Sequence, residues 1–362
     1  MSESKKSMLI EMLRKEILSG KYALRRLFPS ERALASRFHV SRPTVRLVMQ
    51  TLREEGLIVR RQGSGTYVAK SAASRKIGLI VPDLEFAEFF RPVVGEISQL
   101  AQKNSYPLLF AEMNSTDAEK RALQAEKVAR EFVRQGVAGV IIQPIEFIKE
   151  SESINHRILS FFDNARIPVV LCDCDFVSFP NRSNYDVVGI NNELAGGCAY
   201  DALWKAGARR ICFAMRPYAP QSHINRFRGA FLMSKAINPR LGACRVVVAQ
   251  PEDVKSIRKF MSEAHPDAFV CGNDEYAAVF KQSLEKLKIR VPGDVMIVGF
   301  DDVSIARLMS PSLTTIHQPC REIANAAFHR LLTRIEKPDM PVAELFFSFH
   351  LECRQSTSRL HG

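Results

Sequence analysis

The chain has 362 residues, 46% hydrophobic and 25% charged, with 18 Gly and 18 Pro. That length allows two or three domains and a core that needs no disulfide staples, and the composition excludes a disordered or fibrous chain. The formal net charge is +12, but residues 1–75 hold 16 Lys+Arg against 6 Asp+Glu, a net +10, which leaves +2 for all the rest; a basic module on a nearly neutral body is the layout of a nucleic-acid-binding unit joined to a sensor.

Three helical patterns and a hairpin fit residues 7–69. The first helix is predicted over 7–19, with Leu9, Leu13 and Ile17 at helical spacing and Gly20 as its stop. Ser30, after Pro29, is the expected N-cap of a short second helix with Leu34, Ala35 and Phe38 on one face. His39-Val40 forms a tight turn. Ser41 then caps a third helix, and Pro43 falls in its first turn, where a missing N–H costs nothing. Val45, Val48, Met49 and Leu52 make its buried face, Arg42 and Arg46 with Thr44 project from another, and Gly56 ends it. Two short helices around a tight turn, the second basic in its N-terminal half, are a helix-turn-helix whose second helix fits the major groove, where an Arg fork can bond guanine. Residues 57–61 and 66–68 flank Gln62-Gly63-Ser64-Gly65 and read as a hairpin; Arg60 and Arg61 at its base make it a wing against phosphates or the minor groove.

Phe28-Pro29-Ser30-Glu31-Arg32, Val40-Ser41-Arg42-Pro43-Thr44-Val45-Arg46, Glu55-Gly56-Leu57-Ile58 and Gln62-Gly63-Ser64-Gly65-Thr66-Tyr67-Val68 resemble the winged helix-turn-helix of the GntR family. The resemblance implies DNA contact at Arg32, Arg42, Thr44, Arg46 and Gly63. With the N-terminus of the third helix and the wing turn added, the expected DNA-facing set is Arg32, Ser41, Arg42, Pro43, Thr44, Arg46, Arg60, Gln62, Gly63 and Ser64. Ala23-Leu24-Arg25-Arg26 departs from the family's Pro/Gly-rich turn.

Residues 70–76 are small, polar and apolar-poor, which predicts a linker between a module at 1–69 and a body at 77–362. Apolar strand-length runs then follow at 77–81, 107–111, 139–143, 167–172, 187–190, 211–215, 245–249, 268–271 and 295–300. Amphipathic helix-length segments separate most of them, for example 117–135, 193–205 and 275–287. Nine such strands predict an α/β body with two doubly wound parallel sheets, hence two lobes and a cleft. Ligands bind beyond the carboxyl ends of such strands. Asp83, Asp173, Asn273, Asp274, Asp301 and Asp302 fall there, and their paired oxygens and amide suit adjacent sugar hydroxyls. Arg226, on a predicted helix, can clamp a polar ligand, and Phe89 or Phe90 can stack on a sugar face or serve the core. Asp302 is the more structural of its pair, as a cap for the segment from Ser304.

From Ile77-Gly78-Leu79-Ile80-Val81-Pro82-Asp83 through Val291-Pro292-Gly293-Asp294-Val295-Met296-Ile297-Val298-Gly299-Phe300-Asp301-Asp302 to Pro311-Ser312-Leu313-Thr314-Thr315-Ile316-His317-Gln318-Pro319, the body resembles the LacI/GalR sensor domain. That resemblance implies a periplasmic-binding-protein type of fold with three crossovers. Its lobes are expected at about 77–191 with 317–336 and 192–316 with 337–362. It implies effector contact at Asp83, Asp173, Arg226, Asn273 and Asp301, and Phe89 completes the expected effector set; Phe86-Ala87-Glu88-Phe89-Phe90 departs from the family's pattern.

No run of about 18 apolar residues occurs, so no membrane helix is expected. Met1–Gly20 carries Glu3, Glu11 and Glu16 and no long apolar stretch, so a cytoplasmic protein held on the nucleoid through DNA is expected. The eight cysteines form no C-x-x-C and read as core thiols, with no metal site and no cofactor; Cys172 and Cys174 share a strand face by alternation, but two ligands alone make no zinc site. Glycine-rich phosphate loops, G-x-S-x-G and H-E-x-x-H are all missing, which argues against an enzyme. The expected function is a ligand-responsive transcription regulator, a repressor with a sugar as effector, acting as a homodimer on palindromic half-sites. An activator and, more remotely, a solute-binding protein are the alternatives.

Overall fold

The computed structural model describes residues 2–18, 21–22, 27–68, 76–82, 88–113, 115, 117–237, 239 and 243–358. Gly20, the turn at 23–26, linker residues 70–75 and Asp83 lie outside the described residues.

The module is built from α1 (Ser2–Leu18), α2 (Glu31–Phe38), α3 (Arg42–Glu54), β1 (Ile58–Arg61) and β2 (Gly65–Val68). α1 thus begins five residues ahead of the predicted start, before its apolar face does. Leu9, Leu13, Ile17, Leu34, Val45, Val48 and Leu52 close one small core. Ser30 and Ser41 cap α2 and α3, their hydroxyls accepting from the Ala33 and Thr44 amides. His39, with φ of 50°, turns the chain between those helices, and Gly56, with φ of 68°, turns it out of α3. β1 and β2 pair antiparallel, and Leu27 bridges to Tyr67, which adds a third short edge to the hairpin.

The body has two six-stranded sheets. The first runs β4-β3-β5-β6-β7-β13, with β3 (Ile77–Pro82), β4 (Leu108–Met113), β5 (Gly139–Ile142), β6 (Val169–Asp173), β7 (Asp186–Ile190) and β13 (Glu344–Phe347). The second runs β9-β8-β10-β11-β12-β14, with β8 (Ile211–Met215), β9 (Val246–Val248), β10 (Ala268–Cys271), β11 (Met296–Asp301), β12 (Thr314–His317) and β14 (His350–Glu352). In chain order the helices are α4 (Phe90–Lys103), α5 (Ala118–Arg134), α6 (Ser151–Ala165), α7 (Asn192–Lys205), α8 (Gln221–Ile237), α9 (Val254–Ala264), α10 (Asp274–Lys286), α11 (Ser304–Leu308) and α12 (Cys320–Glu336). The chain changes lobe after β7, after β12 and after β13. α12 returns to the first lobe and packs on α4 and on β5–β7.

Two expectations need correction. Residues 337–362 are expected in the second lobe, and β14 does lie there, but β13 pairs parallel with β7 of the first, with Leu345 opposite Val188. The second sheet is not wholly parallel either, because β14 pairs antiparallel with β12.

The close approach of α7 and α8 fixes one wall of the cleft. A Cβ on Gly196 would lie 1.8 Å from the Arg226 carbonyl oxygen, and one on Gly229 would lie 1.8 Å from that of Glu193. Only glycine lets these backbones meet, and the contact sets the position of Arg226.

Candidate nucleic-acid interface and cleft site

Arg32, Arg42, Pro43, Arg46, Arg60, Gln62, Gly63 and Ser64 are all exposed, and Thr44 is half-buried. Ser41 is already committed: its hydroxyl accepts from the Thr44 amide and lies 2.8 Å from Thr44 Oγ1, so its first duty is the cap. Arg46 reaches Glu31 at 3.4 Å while two-thirds exposed, a tether weak enough for a phosphate to displace. The wing tip is stiff. Arg61 lies over the Tyr67 ring at 5.3 Å, and the Tyr67 hydroxyl meets Ser64 Oγ at 2.6 Å. Gly63 turns the tip with φ of +75°, a conformation that favours glycine. Away from that face the module carries two ion-pair clusters: Arg14 bonds Glu55, and Arg37, Lys21 and the Tyr22 hydroxyl converge on Glu16. Burial opposes ionisation of Glu16, yet these donors win and hold its carboxyl down at about 2.

The cleft is built from strand ends. On the first lobe, Gln143, Glu146 and Phe147 follow β5, and Asp173 and Cys174 stand at the end of β6. The second lobe presents Ser222, His223 and Arg226 from α8, Asp301 from the end of β11 and Gln318 after β12. Asp173 and Asp301 adopt φ of 78° and 103°, left-handed values that β-strand propensity opposes and that gather at functional positions. Arg226, 2% exposed, is held on four sides. Its Nε donates to Asn192 Oδ1 at 2.8 Å and its Nη1 to the Gly272 carbonyl at 2.7 Å; Nη2 lies 3.6 Å from Asp301, and the guanidinium covers the Phe300 ring at 4.4 Å. Gln318 Nε2 donates to Asp301 at 2.7 Å, and Gln143 Nε2 to Glu146 at 3.0 Å.

Burial and then the charge of Asp173 lift the Glu146 carboxyl to about 8, and burial lifts Asp173 to about 6 against the pull of Arg226. Burial also raises Asp301, and burial followed by Arg226 and Arg216 pushes His223 well below the usual imidazole range, so its ring is neutral. The lobes touch across the cleft. The Ser304 amide and hydroxyl both donate to Glu88, the Glu88 amide donates to Glu275 at 3.3 Å, and Phe147 meets the His223 ring edge-on at 5.7 Å. Glu88 thereby supplies, from the opposite lobe, the cap that α11 lacks locally. A cavity of 270 Å³ opens beside Asp173 and Cys174 from the α7–α8 side.

Of the expected effector residues, Asp173, Arg226 and Asp301 come together. Asn273 stands at the second-lobe rim, where its side chain caps α10 by accepting from the Tyr276 amide at 2.9 Å. Phe89 is 6% exposed and packs edge-on against Phe90 within the apolar core, so its ring fills the core and is not an open stacking wall. Asp302 does not cap α11; Arg354, Arg307 and His317 gather on it instead. Cys172 packs in the apolar core while Cys174 Sγ points at Glu146 at 3.4 Å, because the positive φ of Asp173 breaks the alternation expected to align them. Sequence reasoning missed Gln143, Glu146, His223, Gln318 and Glu88. His223 lies three residues before Arg226 on α8, and Gln143 directly follows β5, so both carried a signal.

Residues 5–68 match the model of bacterial regulatory proteins of the gntR family, and residues 200–357 match that of the periplasmic binding protein-like domain. The chain is 27% identical over 361 residues to the arabinose metabolism transcriptional repressor of Geobacillus stearothermophilus, covering 95% of both proteins. It is 27% identical over 309 residues to the ribose operon repressor of Haemophilus influenzae, covering 81% of this chain and 86% of that one. A LacI-type regulator from Alkaliphilus metalliredigens, solved with D-xylulofuranose, superposes with a TM-score of 0.62 at 26% identity, over 79% of this chain and all of that one.

Proposed function

Because the chain is a gntR-type regulatory module joined to a periplasmic-binding-protein-like domain, we propose that it is a transcription repressor of carbohydrate use whose grip on operator DNA is loosened by a sugar in the cleft. The observation that carries this reading is similarity to a sugar-metabolism repressor along both domains in the same order. Arg42, Arg46 and Thr44 on α3 read base edges, Arg32 lies at the start of α2 and Ser41 and Pro43 at the start of α3, and Arg60, Gln62, Gly63 and Ser64 on the wing follow the backbone. In the cleft, Arg226, Asp301 and Gln318 bind the ring from one lobe and Asp173 from the other, with Asn273 at the rim. A ligand held by both lobes stabilises the closed arrangement already latched by Glu88 and Ser304. Operator affinity and effector affinity are then coupled by one factor in both directions.

Two modules on a symmetric dimer meet half-sites about one helical turn apart. Phe110 and Leu123, exposed on edge strand β4 and on α5, offer apolar surface for such a contact. Gel shifts with DNA from the protein's own promoter region test the reading. Binding at least 100-fold tighter than to random DNA, weakened by one member of a sugar panel, is expected; equal affinity for both DNAs, or indifference to every sugar, overturns it.

A further inference from the structure

Among the described residues, three buried oxygens around the cleft have no hydrogen-bond partner: Gln143 Oε1, Asp173 Oδ1 and Gln318 Oε1. Their residues are 6%, 7% and 1% exposed. All three atoms are acceptors, so the group that satisfies them brings donors. Two sit together on the first lobe. The Gln143 amide reaches Glu146, and Glu146, Asp173 and Cys174 each bring one polar atom to within 4.8 Å of the others. The Arg226 guanidinium acts on both carboxyls from a distance, but Asn192, the Gly272 carbonyl and Asp301 hold it on the second lobe. Burial first and the Asp173 charge second raise the Glu146 carboxyl, so a cation seated beside both acids would favour their ionised forms. The Cys174 thiol is also pushed up by burial, so it stays neutral.

We propose that the effector is an amino sugar, its protonated amine seated between Glu146 and Asp173 and its ring hydroxyls read by Arg226, Asp301 and Gln318. This rests on the cleft being the effector site. A phosphate or sugar acid would set an anion against two carboxyls. A neutral sugar supplies donors but no positive charge to favour the ionised forms of those two carboxyls. An ammonium bonded at about 2.8 Å to each of two acceptors at a tetrahedral angle spans about 4.6 Å between them, a spacing that atoms lying within 4.8 Å of one another admit.

Isothermal titration of the full chain in EDTA, with glucosamine, galactosamine and mannosamine beside glucose, galactose and mannose, decides it. At least one amino sugar binds tenfold or more tighter than its neutral parent. Glu146→Gln removes that difference, and Glu336→Gln, on the exposed end of α12, keeps it. If the neutral parents bind as tightly as their amino forms, or none of the amino sugars binds, the proposal is overturned. It is equally overturned if Glu146 matters only for zinc binding without EDTA. The underlying cleft reading is separated by Arg226→Ala: it fails if this variant leaves the affinity of whichever sugar binds unchanged, and stands if that affinity is lost even where the amine preference is not found.

Discussion

Glu16 in the module and Glu146 in the cleft carry the same carboxyl group, and their surroundings move it in opposite directions. Arg37, Lys21 and the Tyr22 hydroxyl hold Glu16 down at about 2; burial and Asp173 lift Glu146 to about 8. In the module, acids are consumed by neighbouring cations, and the arginines left over on α3 and the wing stay exposed and hydrated until a polyanion arrives. In the cleft, acids outnumber the cations committed to them and are already stripped of water. DNA binding should therefore fall steeply with salt, while ligand binding in the buried cleft should change little.

The sharpest break of this contrast is Arg226→Ala. Removing one partner of a buried ion pair leaves the other uncompensated, and ~3–5 kcal/mol of stability should go with it. Thermal melts of the variant should drop, and no sugar should raise them. Next comes the module: Arg42→Ala or Arg46→Ala should weaken operator binding by ~1–3 kcal/mol if the side chain reads a base, with little change in melting of the body. A residue touching only phosphate would instead lower the salt slope by about one. Glu88→Ala should cost ~1.5 kcal/mol of lobe closure, since the hydrogen bonds lost are to a carboxylate. Small-angle scattering of the variant should show a more open body, and its effector affinity should fall; an unchanged profile removes the latch.

The smallest effect is in pH. Glu146 is protonated in the folded chain at pH values where the unfolded chain has lost its proton, so its contribution is full below about 4.5 and is lost as pH rises to about 8. Glu16 has the opposite sign: its contribution is present above 4.5 and lost as pH falls towards 2. Trp204, the single tryptophan, lies on α7 and reports the body alone. Its fluorescence-detected melting point should fall between pH 5 and 8 without ligand, and Glu146→Gln should flatten that slope.

The module was legible almost residue by residue, because its signals are local: Ser30 and Ser41 as caps, Gly56 as a stop, the apolar face of α3. The body's central strands were legible because they are buried on both faces and read as continuous apolar runs. β12, β13 and β14 were not. Thr314 and Thr315 are buried yet polar, and β13 and β14 are edge strands of four and three residues, neither with a buried position. Missing β12 concealed Gln318, which the strand-end rule would otherwise have found, just as it found Asp173 and Asp301. Glu88 had no local signal at all, since its partner Ser304 lies 216 residues away. The positive φ of Asp173, which turns Cys174 towards Glu146, is likewise a tertiary outcome that propensity opposes.

β13 pairs beside β7, yet it follows every helix of the second lobe in the chain. During synthesis the first lobe therefore begins before the second but is completed only after every helix of the second has been made. Until α12 and β13 emerge, the apolar faces of β5–β7 that α12 covers stand open, and β7 has a free edge. A chain cut before Cys320 exposes both at once, the kind of surface that aggregates and draws chaperones and proteases. β13 thus acts as a completeness check on the first lobe, which stays open until the chain has been made through the whole helical part of the second.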